Sequence, residues 1–177
     1  MKSRSSWLLL GLLVAAGAAL ATGPRVLRAD LSGDEEVPVV STAGKGELRL
    51  LIYPDRATIG WELSYSGLQA DITQAHIHLG QPLVNGAISV FLCSNLASPP
   101  PPPGTALCPG LRSGTISGVI STASVIGPDA QGIAPGQIDR LIDALRERFT
   151  YVNVHTTRSP SGEIRGQIGN HRGGHHH

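Results

Sequence analysis

Charge is scarce in this 177-residue chain: Asp, Glu, Lys and Arg together make up 15%, and Lys occurs only twice. Scarce charge argues against a disordered acidic or basic tail protein. A formal net charge of +1 provides no basic patch of the kind nucleic acid requires. The lack of Lys also speaks against a long helical bundle, which is rich in Ala, Glu, Lys, Leu and Arg. Aromatic residues are only 4%, and there are two Cys. Catalytic signatures are missing too: no H-E-x-x-H, no C-x-x-C pair, no G-x-S-x-G, and no Walker or dinucleotide fingerprint. Ser, His and Asp occur, but nothing places them as a triad. What the chain does have is 41% hydrophobic residues, enough for one core, together with Gly 22, Pro 13 and His 7. The length suits a single domain.

The first residues read as an address. Lys2 and Arg4 form a positive start, Trp7 to Ala21 is apolar or small throughout, and Ala19-Leu20-Ala21 is an A-x-A cleavage site. This is the pattern of a secretory signal peptide over residues 1–21. The apolar run of about fifteen residues is short for a span that needs roughly twenty, which disfavours the rival reading of an uncleaved anchor. No Cys lies near the cleavage site to carry a lipid. Removing Lys2 and Arg4 leaves 12 basic residues against 13 acidic ones, about −1. The expected product is secreted or periplasmic, has no membrane span after signal removal, and does not bind nucleic acid.

Export changes how Cys93 and Cys108 are read. An even count in an exported chain suggests a disulfide. The segment between them holds five consecutive prolines, Pro99 to Pro103, which are stiff and cannot join a sheet ladder. A bridge at the base of this loop is worth roughly 3 kcal/mol for about fifteen residues. The other reading, free thiols or metal ligands, is disfavoured because the spacing provides no C-x-x-C pair.

Residues 22–30 read as a linker and 31–168 as the domain. Lys45 to Tyr53 alternates, with Leu48, Leu50 and Ile52 on one face and Glu47, Arg49 and Leu51 on the other. After the turn Pro54-Asp55-Arg56, the stretch Ala57 to Tyr65 alternates again, predicting a hairpin. Further strands are expected over 72–79, 87–92, 115–120, 150–156 and 163–168. Ile138, Leu141, Ile142, Leu145 and Phe149 recur at helical spacing, predicting one short amphipathic helix before the penultimate strand. About seven or eight short strands with Gly and Pro turns predict an all-β, antiparallel Greek-key β-sandwich, with a barrel as the next choice. Residues 169–177 read as a disordered His-rich tail. Its His175, His176 and His177 are a native metal-scavenging end or the remains of a tag, and they are left out of the site together with His171.

That leaves His76, His78 and His155. His76 and His78 flank Ile77 in a strand, so both imidazoles project from one face. If the strand carrying His155 lies alongside, three imidazoles can converge on one ion. Three nitrogens suit copper or zinc, provided they approach within roughly 4 Å of one another. The plainer reading of H-x-H is a pair of hydrogen-bonding residues at an exposed edge.

Several strings line up with one family. Leu31-Ser32-Gly33 and Glu36-Val37-Pro38 resemble an L-x-G-x-x-E-V-P opening. Ala75-His76-Ile77-His78, followed by Gly80, resembles an A-H-I-H motif. Gly86 with Val90-Phe91-Leu92, and then Ser113-Gly114-Thr115-Ile116, resemble the strands that follow. Tyr151 to Thr156 and Pro160 to Gln167 resemble the closing signature Y-V-N-V-H-T with P-x-G-E-I-R-G-Q. The chain therefore resembles chordin-type (CHRD) domains of the bacterial secreted kind over about Leu31 to Ile168. The resemblance implies an exported β-sandwich that binds an extracellular or periplasmic partner, with no established activity. His76, His78, Val154-His155 and Gly162 to Arg165 also follow the order seen at the copper half-site of copper–zinc superoxide dismutases. That second resemblance implies a three-histidine copper site, with Arg165 as an anion-steering residue. The fourth copper histidine and the zinc cluster have no counterpart here. Glu36, Asn153, Glu163, Arg165 and Gln167 have a structural reading as well: Glu163 and Arg165 share a strand face, and an ion pair between them, or with Glu36, is the ordinary expectation.

Overall fold

The computed structural model describes residues 23–169. Residues 1–21, read from sequence as a signal peptide, and the tail from 170 onward, His171 included, lie outside the described residues. The described chain runs β1 (Arg25–Ser32), β2 (Lys45–Ile52), β3 (Ile59–Ser66), β4 (Ile72–Leu79), β5 (Ala87–Ser94), β6 (Gly114–Ile120), α1 (Ile138–Arg146), β7 (Thr150–Thr156) and β8 (Ile164–Gln167). The strands form one antiparallel sheet in the order β5-β4-β7-β8-β1-β2-β3-β6. Its two halves join at a thin seam, where β8 and β1 share the register pair Ser32 and Arg165 and a bridge links Arg28 to Gly169. The predicted two-layer sandwich is realised as this nearly closed sheet wrapped on a single core.

The alternation in the sequence explains the core. Leu48, Leu50 and Ile52 of β2 are buried, while Glu47 and Arg49 in the opposite phase are exposed. They stand opposite Leu63, Trp61 and Ile59 in the hairpin register. Ala75, Ile77, Val90, Leu92, Val152, Val154 and Ile164 from the other half join the same cluster. α1 adds Ile138, Leu141, Ile142 and Leu145 on one buried stripe. Cys93 at the end of β5 is bridged to Cys108, closing the proline loop as predicted.

Three expectations are corrected. The supposed linker 22–30 carries β1, because Leu27, Ala29 and Leu31 alternate into the core and pair with Leu50, Leu48 and Gly46. The helix ends at Arg146, short of Phe149: Arg148 turns to φ 64°, a left-handed conformation that no helix continues through, and Phe149 is left 53% exposed. Gly169, assigned to the tail, is held in the sheet by hydrogen bonds in both directions with Arg28.

Candidate metal centre

β7 lies between β4 and β8, and every residue from Thr150 to Thr156 is buried. A strand buried on both faces usually reads as a continuous apolar run. Here Val152 and Val154 face the core, while Tyr151, Asn153 and His155 occupy the opposite face, which is polar. The neighbouring strands add to that face. His76 stands opposite Asn153, His78 opposite Tyr151, and Gln74 opposite His155, while Arg165 of β8 stands opposite Asn153 from the other side. Register irregularities in β4 and β5 break the pairing at Ala75/His76 and Ile77/His78, the kind of local twist that re-aims a side chain.

The three histidines predicted from sequence come together. One ring nitrogen from each of His76, His78 and His155 lies within 4.8 Å of the other two. His76 Nδ1 is 3.1 Å from His155 Nε2. Nitrogens sharing one ion at bonds of about 2.05 Å sit about 3.3–3.5 Å apart. The His76–His155 edge already meets this spacing. The widest edge, up to 4.8 Å, exceeds it by about 1.4 Å and lies outside the condition of roughly 4 Å set from the sequence, so a shared ion requires one ring to move toward the other two. His78 is the outlying ring: its centroid is 5.5 Å from that of His76 and 6.4 Å from that of His155. All three are buried, with exposures of 1%, 7% and 7%.

Outer partners determine which nitrogens are bare. His78 Nδ1 is 3.0 Å from the Gly86 carbonyl, and His155 Nδ1 is 2.9 Å from the Pro160 carbonyl. A carbonyl only accepts, so both Nδ1 atoms carry the proton and both Nε2 atoms carry a lone pair. His78 Nε2 is buried with no hydrogen-bond partner. Asn153 Oδ1 is placed 3.0 Å from His155 Nε2; a lone pair there requires the amide to be flipped, so that its NH2 end donates. His76 Nε2 is 3.0 Å from the Gln74 amide. If the Gln74 amide presents its NH2 end, His76 carries its proton on Nδ1 and donates to His155 Nε2; if it presents Oε1, His76 Nε2 carries the proton and Nδ1 is bare, the tautomer that metal ligation at Nδ1 requires.

A second proton cannot easily enter. Burial holds the His76 imidazolium back to a pKa of about 2, helped by repulsion from His155 and His78. Burial likewise lowers His78 to about 4, although the Gly86 carbonyl pulls the other way. His155 is lowered for the same reason. The pocket therefore holds neutral imidazoles, the protonation state that metal ligation requires.

The polar motif residues are placed differently from expectation. Among the described residues no ion pair joins Arg165 to Glu163 or Glu36. Glu163 instead accepts from Thr42 Oγ1 and the Gln69 N–H at one oxygen and from Thr156 Oγ1 at the other, each at 2.8 Å. Arg165 is 2% exposed. It donates to the Gln81 and Val84 carbonyls and to Asn85 Oδ1, and it lies 3.4 Å above the Tyr151 ring centroid. Tyr151 in turn stacks on His78 at 4.7 Å. A guanidinium committed on all these sides has no open route to a solvent anion, so Arg165 acts as a clamp on the loop 80–86 and not as a steering charge. Gln167 ties the same loop down through Nε2 to the Gly80 carbonyl. Glu36 is buried beside Gly162, whose φ of 129° and absent Cβ admit it: a Cβ there would meet Glu36 Oε1 at 2.2 Å. Burial raises Glu36 to a pKa of about 7 against the lowering pull of Arg165 and the Val37 N–H.

Sequence reasoning missed Gln74, Phe91 and Tyr151, which frame the histidines. Phe91 packs its ring 4.3 Å from that of His76. Gln74 and Tyr151 stand two residues from His76 and Asn153, so the period of two that paired His76 with His78 would have found them.

Comparison with curated proteins and with solved structures finds no match. The CHRD domain family model matches residues 27–168. No helix among the described residues is long and apolar enough to cross a membrane. The chain belongs to the CHRD domain family.

Proposed function

We propose that this CHRD domain works outside the cytoplasm as a metal-binding module, holding one copper or zinc ion between His76, His78 and His155. The observation that carries the reading is the pair of bare Nε2 atoms on His78 and His155, each set by a backbone carbonyl, converging with His76 Nδ1 in a buried pocket. A buried, unpartnered nitrogen such as His78 Nε2 is costly unless something binds it. Hydrogen-bonded outer partners of this kind orient metal-ligating histidines in general. An exported location rests on the signal-peptide pattern of residues 1–21, and the disulfide is compatible with an oxidising compartment. When bound, copper would supply one-electron redox chemistry, with superoxide as the small substrate to try. The burial of all three rings favours a carrier or store over an enzyme.

The test is titration of the chain carrying His171→Ala, His175→Ala, His176→Ala and His177→Ala, so that only the pocket can respond. One equivalent of copper or zinc is expected to bind, and His76→Ala or His155→Ala is expected to weaken it at least about 100-fold. Binding that vanishes with the tail histidines alone sinks the reading. A superoxide dismutation assay on copper-loaded protein separates an enzyme from a carrier.

A second reading, a module that docks an extracellular or periplasmic protein, is favoured by Leu83. This residue is held at φ 65° and is 77% exposed on the loop clamped by Arg165. Left-handed backbone is uncommon for a bulky side chain, and where it persists the surroundings enforce it.

A further inference from the structure

We infer that the pocket is built for Cu(I) in preference to Cu(II) or Zn(II), an inference that rests on the three-histidine reading above. The donor set is the first reason. Among the described residues the cluster able to hold an ion consists of His76, His78 and His155, with no carboxylate or thiolate in it. The side-chain amides against the rings, Asn153 at 3.0 Å from His155 Nε2 and Gln74 at 3.0 Å from His76 Nε2, are neutral too. An ion here keeps its whole charge.

Burial is the second reason. The three rings are 1%, 7% and 7% exposed, and Phe91 and Tyr151 cover His76 and His78 with aromatic surface. The cost of taking an ion out of water grows with the square of its charge, so a divalent ion faces about four times the penalty of a monovalent one. The stack at His78 adds to this. Tyr151 lies against that ring, and the fixed Arg165 guanidinium lies 3.4 Å above Tyr151. From beyond the Tyr151 ring, this permanent cation repels a bound ion in proportion to the ion's charge. Glu36 is the acidic group on this side, and it sits against Gly162, outside the donor cluster.

Geometry is the third reason. The close His76–His155 edge of 3.1 Å and the outlying His78 suit an ion content with two or three ligands, as closed-shell Cu(I) is. Cu(II) prefers a tetragonal set and structural Zn(II) a tetrahedral one.

The experiment uses the full chain with the four tail histidines replaced by Ala. Its dissociation constants are measured under anaerobic conditions by competition with a chromophoric chelator for Cu(I), for Cu(II) and for Zn(II) separately. Cu(I) is expected to bind at least about 100-fold tighter than either divalent ion. His78→Asp, which places an anionic donor in the pocket, is expected to narrow or reverse that ratio. Cu(II) or Zn(II) binding as tightly as Cu(I) would overturn the inference while leaving the three-histidine site standing. Failure of all three ions to bind would remove both.

Discussion

On the outer face of β2, Lys45, Glu47 and Arg49 stand in solvent, and Arg28 of β1 reaches Glu47 at 2.6 Å. On the outer face of β7, Tyr151, Asn153 and His155 are as buried as the valines between them. Both strands place apolar residues in the same core. The difference lies entirely in what covers the far side. The half built from β1, β2, β3 and β6 follows the usual economy of an antiparallel sheet, with one face dry and one wet. The half built from β4, β7 and β8 is roofed by the loop 80–86 and by the segment bearing Glu36, so it buries histidines, an arginine and an acid. Burying polar groups stabilises nothing by itself. Among the described residues, polar groups are buried on this side alone, and the tautomers of His78 and His155 are set by backbone carbonyls.

The comparison can be broken at its strongest point by two substitutions of equally buried residues. Leu48→Ala in the shared core is expected to cost about 2–5 kcal/mol in urea unfolding. His76→Leu, at 1% exposure, is expected to cost the metal-free protein about 1–3 kcal/mol, the effect of leaving His155 Nε2 and the Gln74 amide without this partner and not of opening a cavity. A loss as large as that of Leu48→Ala would make His76 a structural residue and erase the contrast. Next in size, Cys93→Ser with Cys108→Ser is expected to cost about 3 kcal/mol by releasing the fifteen-residue loop. Thermal or urea melts of oxidised and doubly substituted protein read that difference.

Glu36 tests the roofed side by pH. Its folded pKa is raised from 4.5 to about 7, so the folded state holds this proton more tightly than the unfolded chain does. The contribution to stability is therefore fully present below about pH 4.5 and is lost as pH rises through about 7, on the order of 2 kcal/mol. The stability difference between wild type and Glu36→Gln should move by that amount between pH 4.5 and pH 8. A flat difference would mean that Glu36 is solvated. The smallest effect belongs to the open side: Glu47→Gln is expected to cost no more than about 1 kcal/mol, less in high salt, since its ion pair with Arg28 is solvent-exposed on both sides.

Much of this was legible before any coordinates. Leu48, Leu50 and Ile52 announce β2 by period alone, and so does the buried stripe of α1. Two cysteines leave one intramolecular pairing. His76 and His78 had to share a face because side chains alternate along a strand. β1 was passed over because its alternation begins right after the apolar leader. The ordinary charge-pairing argument misled at Arg165 and Glu163. Charge rules name partners of opposite sign, whereas a buried arginine can be satisfied by carbonyl oxygens and an aromatic face, and a buried carboxylate by hydroxyls and N–H groups.

By itself the sequence determined which residues alternate, most of the strands and the one helix they form, that Cys93 and Cys108 are available to pair, and that His76 and His78 share a strand face. Only the tertiary structure decided that β4 lies beside β7. That pairing brings His76 and His155, 79 positions apart, to within 3.1 Å, and it turns backbone carbonyls of two loops toward His78 and His155 so that their bare nitrogens face one another. Local periodicity reports which way a side chain points from its own strand. Which strand lies next to it is settled by how the whole chain closes over one core, and no local pattern encodes that.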